Sequence, residues 1–151
     1  MGLSRLAFYL EQSPIGPLIV RDFRLAQFVM VGDDIKLSDI DDVDGEEHRC
    51  SNHTDCFIGN ERRNVTLPCL EGVCRGYNSL MNVYNINKHV LQHILKLESP
   101  REVQTELDRI VTACGALKWD AKTLLQELEK VVNLLKTGEY LTRSKYWRKF
   151  H

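Results

Sequence analysis

Apolar residues recur at helical spacing in four stretches of this chain, as short runs in three others, and only sparsely through its middle. Leu3, Leu6, Ala7 and Leu10 form one face of an amphipathic helix over residues 3–12. Ser13-Pro14-Ile15-Gly16-Pro17 stops it with two prolines and a glycine. Leu18-Ile19-Val20 then leads into a loop at Asp22, and Phe28-Val29-Met30-Val31 and Ile35-Lys36-Leu37 flank Gly32-Asp33-Asp34, which predicts a hairpin turning at the glycine and aspartates. From Asp41 to about Asn82 the pattern lapses. That stretch reads as loop, rich in Cys, Gly, Asn and charge. Three further helices are predicted by Val83, Ile86, Val90, Ile94 and Leu97, by Val103, Leu107, Ile110, Val111 and Cys114, and by Leu124, Leu128, Val131, Val132 and Leu135. Ser99-Pro100 opens the second of these with Pro100 at its first position, Gly115 closes it, and Gly138 caps the last. The class is α+β, mainly helical.

With 151 residues and 43% of them hydrophobic, the chain can bury one domain's core and not two. A formal net charge of -1 excludes a general nucleic-acid binder or a polybasic membrane protein. The charge is unevenly spread: residues 33–48 are strongly acidic, and Lys136–His151 is basic. The tail 142–151, with Tyr146, Trp147 and Phe150 among its bases, reads as an exposed terminus rather than a contact for an anionic surface. No apolar run is long enough to cross a bilayer, and Leu3–Leu10 is too short and too polar-flanked for a signal peptide.

The cysteines nevertheless point outside the cytoplasm. Cys50, Cys56, Cys69 and Cys74 cluster within one stretch that also holds two glycosylation sequons, at Asn52 and Asn64. Two disulfides are the expected state, stapling a segment with too few apolar residues to hold itself together. Spacing leaves their pairing open. A structural zinc site using His48 or His53 is the weaker alternative, because only the last pair approaches zinc-knuckle spacing. Cys114 falls on an apolar helical face and reads as a buried small hydrophobe.

Two acidic positions carry candidate chemistry. Asp22 stands in a loop with Arg24 two residues on and Gln27 five residues on, and Asp39 follows the second strand of the hairpin. Phosphoryl transfer needs one carboxylate at the attacking hydroxyl and another at a nucleotide-bound cation, both rigidly held. The stretches Asp22-Phe23-Arg24-Leu25-Ala26-Gln27-Phe28-Val29, Lys36-Leu37-Ser38-Asp39-Ile40-Asp41-Asp42, Asn64-Val65-Thr66-Leu67-Pro68-Cys69 with Cys74, and Thr137-Gly138-Glu139-Tyr140-Leu141 resemble the C-terminal lobe of the secreted divergent protein kinases. The resemblance implies a partial kinase domain over 1–141 with a Cys-rich insert at about 48–78. It implies Asp22 as catalytic base, Arg24 as a contact to the transferred phosphate, and Asp39 and Gln27 as ligands of magnesium (or manganese) on ATP. It also implies secreted or extracellular-matrix protein substrates phosphorylated on tyrosine, and residence in the secretory pathway, including the Golgi lumen.

The chain departs from the kinase pattern at Val20, where a His is usual, at Gln27, where an Asn is usual, and at Asp41, where Asp-Phe-Gly has its glycine. Before Asp22 there is neither a Gly-rich loop nor a strand Lys, so the chain alone is expected to bind ATP poorly and catalyse little. The competing expectation is a noncatalytic, disulfide-stapled binding module. Calcium binding fails on register: with Gly45 as the loop glycine, Ile40 and Ser51 fall where acidic ligands are needed. The run Asp41, Asp42, Asp44 reads as solvated.

Overall fold

A computed structural model describes residues 2–32, 34–60, 63–95 and 99–138. The first helix, α1 (Gly2–Glu11), buries Ser4, Ala7 and Leu10 and ends where the prolines begin. Strand β1 (Ile19–Val20) is fully buried and pairs antiparallel with β4 (Val43–Asp44). Between them lies the predicted hairpin, β2 (Phe28–Val31) and β3 (Asp34–Leu37), with Phe28 opposite Leu37. A 3-10 turn, Leu25–Gln27, joins the Asp22 loop to β2. Gly2 lets α1 meet the hairpin: a Cβ there would stand 2.7 Å from Ile35 Cγ1.

The central stretch is more ordered than its composition predicts. Residues 41–82 hold two small hairpins, β5 (Phe57–Asn60) with β6 (Arg63–Thr66) and β7 (Cys69–Leu70) with β8 (Val73–Cys74). Helix α2 (Tyr77–Ile86) also begins there, six residues before the first apolar position of the predicted helix. Its buried face is Asn78, Asn82, Val83, Asn85 and Ile86, so polar side chains occupy positions that hydrophobic patterning reserves for apolar ones. The helix then continues as a π-helical segment, Asn87–Leu95, where an α-helix is predicted. The side chain of Ile94, and Leu97 entirely, lie outside the described residues.

Helix α3 (Arg101–Gly115) starts one residue later than predicted, because Pro100 has an extended ψ of 143° and occupies the capping position. Helix α4 (Ala121–Thr137) is capped by Asp120, whose carboxylate accepts from the Thr123 amide at 2.7 Å, and is ended by Gly138 at φ 68°. Arg109 joins the last two helices: it pairs with Glu106 and Glu127 and lies over the Trp119 ring at 5.3 Å. The core is the meeting of α1, α2, α3 and α4 around Leu10, Val83, Ile86, Leu107, Ile110 and Leu124. Cys114 is fully buried there as a free thiol, and burial pushes its pKa up to about 12. The tail 142–151 and residues 139–141 lie outside the described residues.

Both disulfides form, as Cys50–Cys69 and Cys56–Cys74. No helix among the described residues is long and apolar enough to cross a membrane.

Candidate functional site

The loop after β1 is held from beneath by asparagines. Asn82 is 1% exposed; its Oδ1 accepts from the Val20 amide at 3.1 Å and its Nδ2 donates to the Leu18 carbonyl at 2.8 Å. One turn earlier, Asn78 Nδ2 donates to the Pro17 carbonyl at 3.0 Å. These bonds satisfy buried backbone groups that the two-residue β1–β4 ladder cannot reach. They fix the strand that delivers Asp22. Phe23, the next residue, turns inward and packs on Phe28 at 4.9 Å and stacks on His89 at 5.9 Å. Burial, with Lys88 and His93 nearby, pushes His89 below its ordinary pKa. Alternation across the backbone then leaves Asp22 and Arg24 outward on either side of buried Phe23.

Asp22 and Arg24 form a direct ion pair. That hydrogen bond, the Arg24 charge and a further bond from Gln27 hold the Asp22 carboxyl below its ordinary range, while the same hydrogen bond and the charges of Asp22 and Asp42 raise Arg24. Gln27 also donates through Nε2 to Asp42 Oδ2 at 3.2 Å. With its nitrogen turned to two carboxylates, the carbonyl oxygen of Gln27 is what remains for a cation. Backbone bonds lock the same corner: Ser38 N–H to the Gln27 carbonyl at 2.8 Å, and Arg21 N–H to the Asp42 carbonyl at 2.8 Å.

Asp22, Arg24 and Gln27 thus come together in one loop. Asp39 is exposed, one residue past the bonded Ser38, and its Oδ1 accepts from the Asp41 amide at 3.0 Å. Among the described residues it makes no hydrogen bond to Asp22, Arg24 or Gln27. Asp42 is the acid that meets Gln27, although it stands in a run of acids whose sequence pattern signals only a solvated face. Asp44 is likewise engaged, accepting from Arg21 at 2.7 and 3.0 Å. Asn82 and Asn78 were also missed; their signal is the recurrence of Asn at helical spacing on one face of α2.

Asp22, Asp42 and the Gln27 carbonyl offer only oxygen, as does Asp39 farther along the chain, and oxygen suits a hard divalent cation such as magnesium. Among the described residues the compact group of metal-type ligands is Cys50, Cys56 and Cys74, which the disulfides occupy. The loop carboxylates therefore form no preformed all-protein cage. Magnesium fits such a place, because it keeps waters and shares one or two carboxylates with substrate phosphates. The apolar crevice under the loop, lined by Leu6, Leu10, Phe23, Phe28 and Asn82, has room for about one water, too little for a nucleotide.

Of the sequons, Asn52 is exposed and its Oδ1 accepts from the Thr54 amide at 2.8 Å, capping the turn His53–Cys56. The Asn64 side chain lies outside the described residues.

No family model matches the chain, and no solved structure matches it. The human extracellular tyrosine-protein kinase PKDCC is 39% identical to it over 145 residues, which are 95% of this chain and 29% of the relative. The chain spans under a third of that protein's length.

Proposed function

Because the chain belongs to the family of the extracellular tyrosine-protein kinase PKDCC, we propose that it supplies the catalytic-loop part of a tyrosine kinase that uses ATP with magnesium or manganese. The substrates are secreted or extracellular-matrix proteins, met in the secretory pathway, the Golgi lumen included, or outside the cell. The observation that carries this reading is the Asp22, Arg24, Gln27 and Asp42 corner, hydrogen-bonded as one unit and anchored by Asn82.

Each side chain has a role in that chemistry. Asp22, held ionised by Arg24, accepts the proton of the tyrosyl hydroxyl as the oxygen bonds to the transferred phosphorus and the bond to the ADP oxygen breaks. Arg24, 71% exposed, can turn toward the transferred phosphoryl group and offset its charge. Gln27 through its carbonyl, and Asp39 through the carboxylate oxygen not bound to Asp41, would hold the divalent cation, with Asp42 orienting Gln27. When bound, that cation neutralises the nucleotide phosphates. The two disulfides and the sequons at Asn52 and Asn64 support an oxidising, extracytoplasmic setting.

Residues 1–21 hold neither a Gly-rich loop nor a Lys, so in this reading ATP binding draws on residues outside 1–151 as well. The apolar hairpin surface, with Val29, Met30 and Val31 exposed, suits a covering segment. The test is calorimetric titration of ATP with magnesium into a longer protein containing this chain. Asp39→Asn and Gln27→Ala should each weaken magnesium-dependent binding at least about tenfold. Unchanged affinity in both variants would remove these residues from the nucleotide site.

A further inference from the structure

The two disulfides lie side by side and differ in access. Cys50 and Cys69 are half-buried, whereas Cys56 and Cys74 are each 0% exposed. The Sγ atoms of Cys50, Cys56 and Cys74 all lie within 4.8 Å of one another. One sulfur of the accessible bond therefore stands beside both sulfurs of the buried one. The backbone adds an independent fact. In the β7–β8 hairpin Cys69 lies directly opposite Cys74, and the next pair is the bonded one, Arg75 N–H to the Pro68 carbonyl at 3.3 Å. Facing residues between such bonds have Cα atoms about 4.5 Å apart, which lies within the range of about 4.4–6.8 Å that a disulfide bridges. Yet each of the two cysteines is bonded elsewhere.

We propose that this four-cysteine insert is a thiol-exchange site with two covalent pairings: Cys50–Cys69 with Cys56–Cys74, and Cys50–Cys56 with Cys69–Cys74. A small external thiolate of the glutathione class attacks the accessible Cys69 Sγ. The Cys50–Cys69 bond breaks, a mixed disulfide forms at Cys69, and Cys50 leaves as the thiolate. Cys50 then attacks Cys56 Sγ, forming Cys50–Cys56 and releasing Cys74 as the thiolate. Cys74 attacks Cys69 Sγ across the hairpin, forming Cys69–Cys74 and expelling the external thiolate. Each step makes one sulfur–sulfur bond and breaks one, so the external thiol is regenerated and nothing is oxidised or reduced overall. The buried disulfide is reached only through Cys50. Cys74 sits two residues before Gly76, the residue that opens α2, so the second pairing is made at the base of the helix whose asparagines hold the Asp22 loop.

The test is a disulfide map of the full chain. The protein is incubated with graded reduced glutathione, quenched in acid and digested without reduction by proteases cutting after Asp55, Arg63 and Glu71, which separates all four cysteines. Without thiol, mass spectrometry should find Cys50 linked to Cys69 and Cys56 to Cys74. With thiol, peptides linking Cys50 to Cys56 and Cys69 to Cys74 should appear while the total number of disulfides stays unchanged. In the variant carrying Cys50→Ser and Cys69→Ser, Cys56–Cys74 should survive at least about tenfold more thiol than in the wild type. The proposal is overturned if only the native links, or free thiols, are found at every concentration that opens Cys50–Cys69. It is equally overturned if Cys56–Cys74 opens as readily in the double variant. The wild-type map decides the matter even where the variant does not fold.

Discussion

Replacing Asn82 with Ala removes both bonds that tie α2 to β1. The Val20 amide loses its acceptor at 3.1 Å and the Leu18 carbonyl its donor at 2.8 Å, and Val20 is only 2% exposed. Each buried backbone group left without a partner costs about 1–3 kcal/mol. Leu18 is only half-buried, so water can reach part of its carbonyl's need, and the lower half of the range applies there. The sum is about 2–5 kcal/mol. That is a large share of the roughly 5–15 kcal/mol that keeps a domain folded. Urea denaturation of the purified chain measures the loss, and hydrogen exchange locates it: the Val20 amide should lose protection well before amides in α4. Asn133→Ala on the exposed face of α4 serves as control and should change stability by no more than about 0.5 kcal/mol. An Asn82→Ala protein within 0.5 kcal/mol of wild type, with the Val20 amide still protected, would refute the idea that this side chain holds the loop.

Three further outcomes are expected. In a carbon-detected titration the Asp22 carboxyl should have its midpoint below the ordinary aspartate value, and Arg24→Ala should return it toward that value; since the folded pKa is the lower one, the pair's stabilisation is present above the unfolded pKa and is lost as pH falls through the folded one. Cys114, buried with its thiol raised to about 12, should resist an aromatic disulfide reagent at pH 8 in the native protein and react promptly in denaturant. When the chain is expressed through a secretory pathway, Asn52→Gln and Asn64→Gln should each remove one endoglycosidase-sensitive step in electrophoretic mobility; mobility indifferent to both changes would leave these sequons unused.

What the sequence discloses follows from which interactions build each element. Helices α1, α3 and α4 bury Leu, Val and Ile at three- and four-residue spacing and are stopped by Pro or Gly, so their periodicity and ends are legible. The β2–β3 hairpin is announced by Gly32, which turns at φ 62°. The first six residues of helix α2 escape because the buried positions there are Asn78 and Asn82, which bond to Pro17, Leu18 and Val20 about sixty residues away in the chain. Strand β4 escapes for a related reason: two residues are too few for any pattern, and only pairing with β1 makes them a strand. In the Cys-rich stretch the presence of disulfides is legible and their partners are not, since pairing depends on how two hairpins stack. At the site, Asp22, Arg24 and Gln27 are readable from their order in one loop. Asp42 is hidden among neighbouring acids, and only the fold turns it toward Gln27.

The central claim is that the Asn82-held loop carries out phosphoryl transfer through Asp22. It is tested most directly by measuring transfer of labelled phosphate from ATP with magnesium to tyrosine, using a longer protein that contains this chain. Asp22→Asn should leave ATP binding within about twofold while lowering kcat by about a hundredfold to ten-thousandfold. A variant that still transfers phosphate to tyrosine at the wild-type rate, or a wild-type protein that binds ATP with magnesium and transfers none, would contradict it.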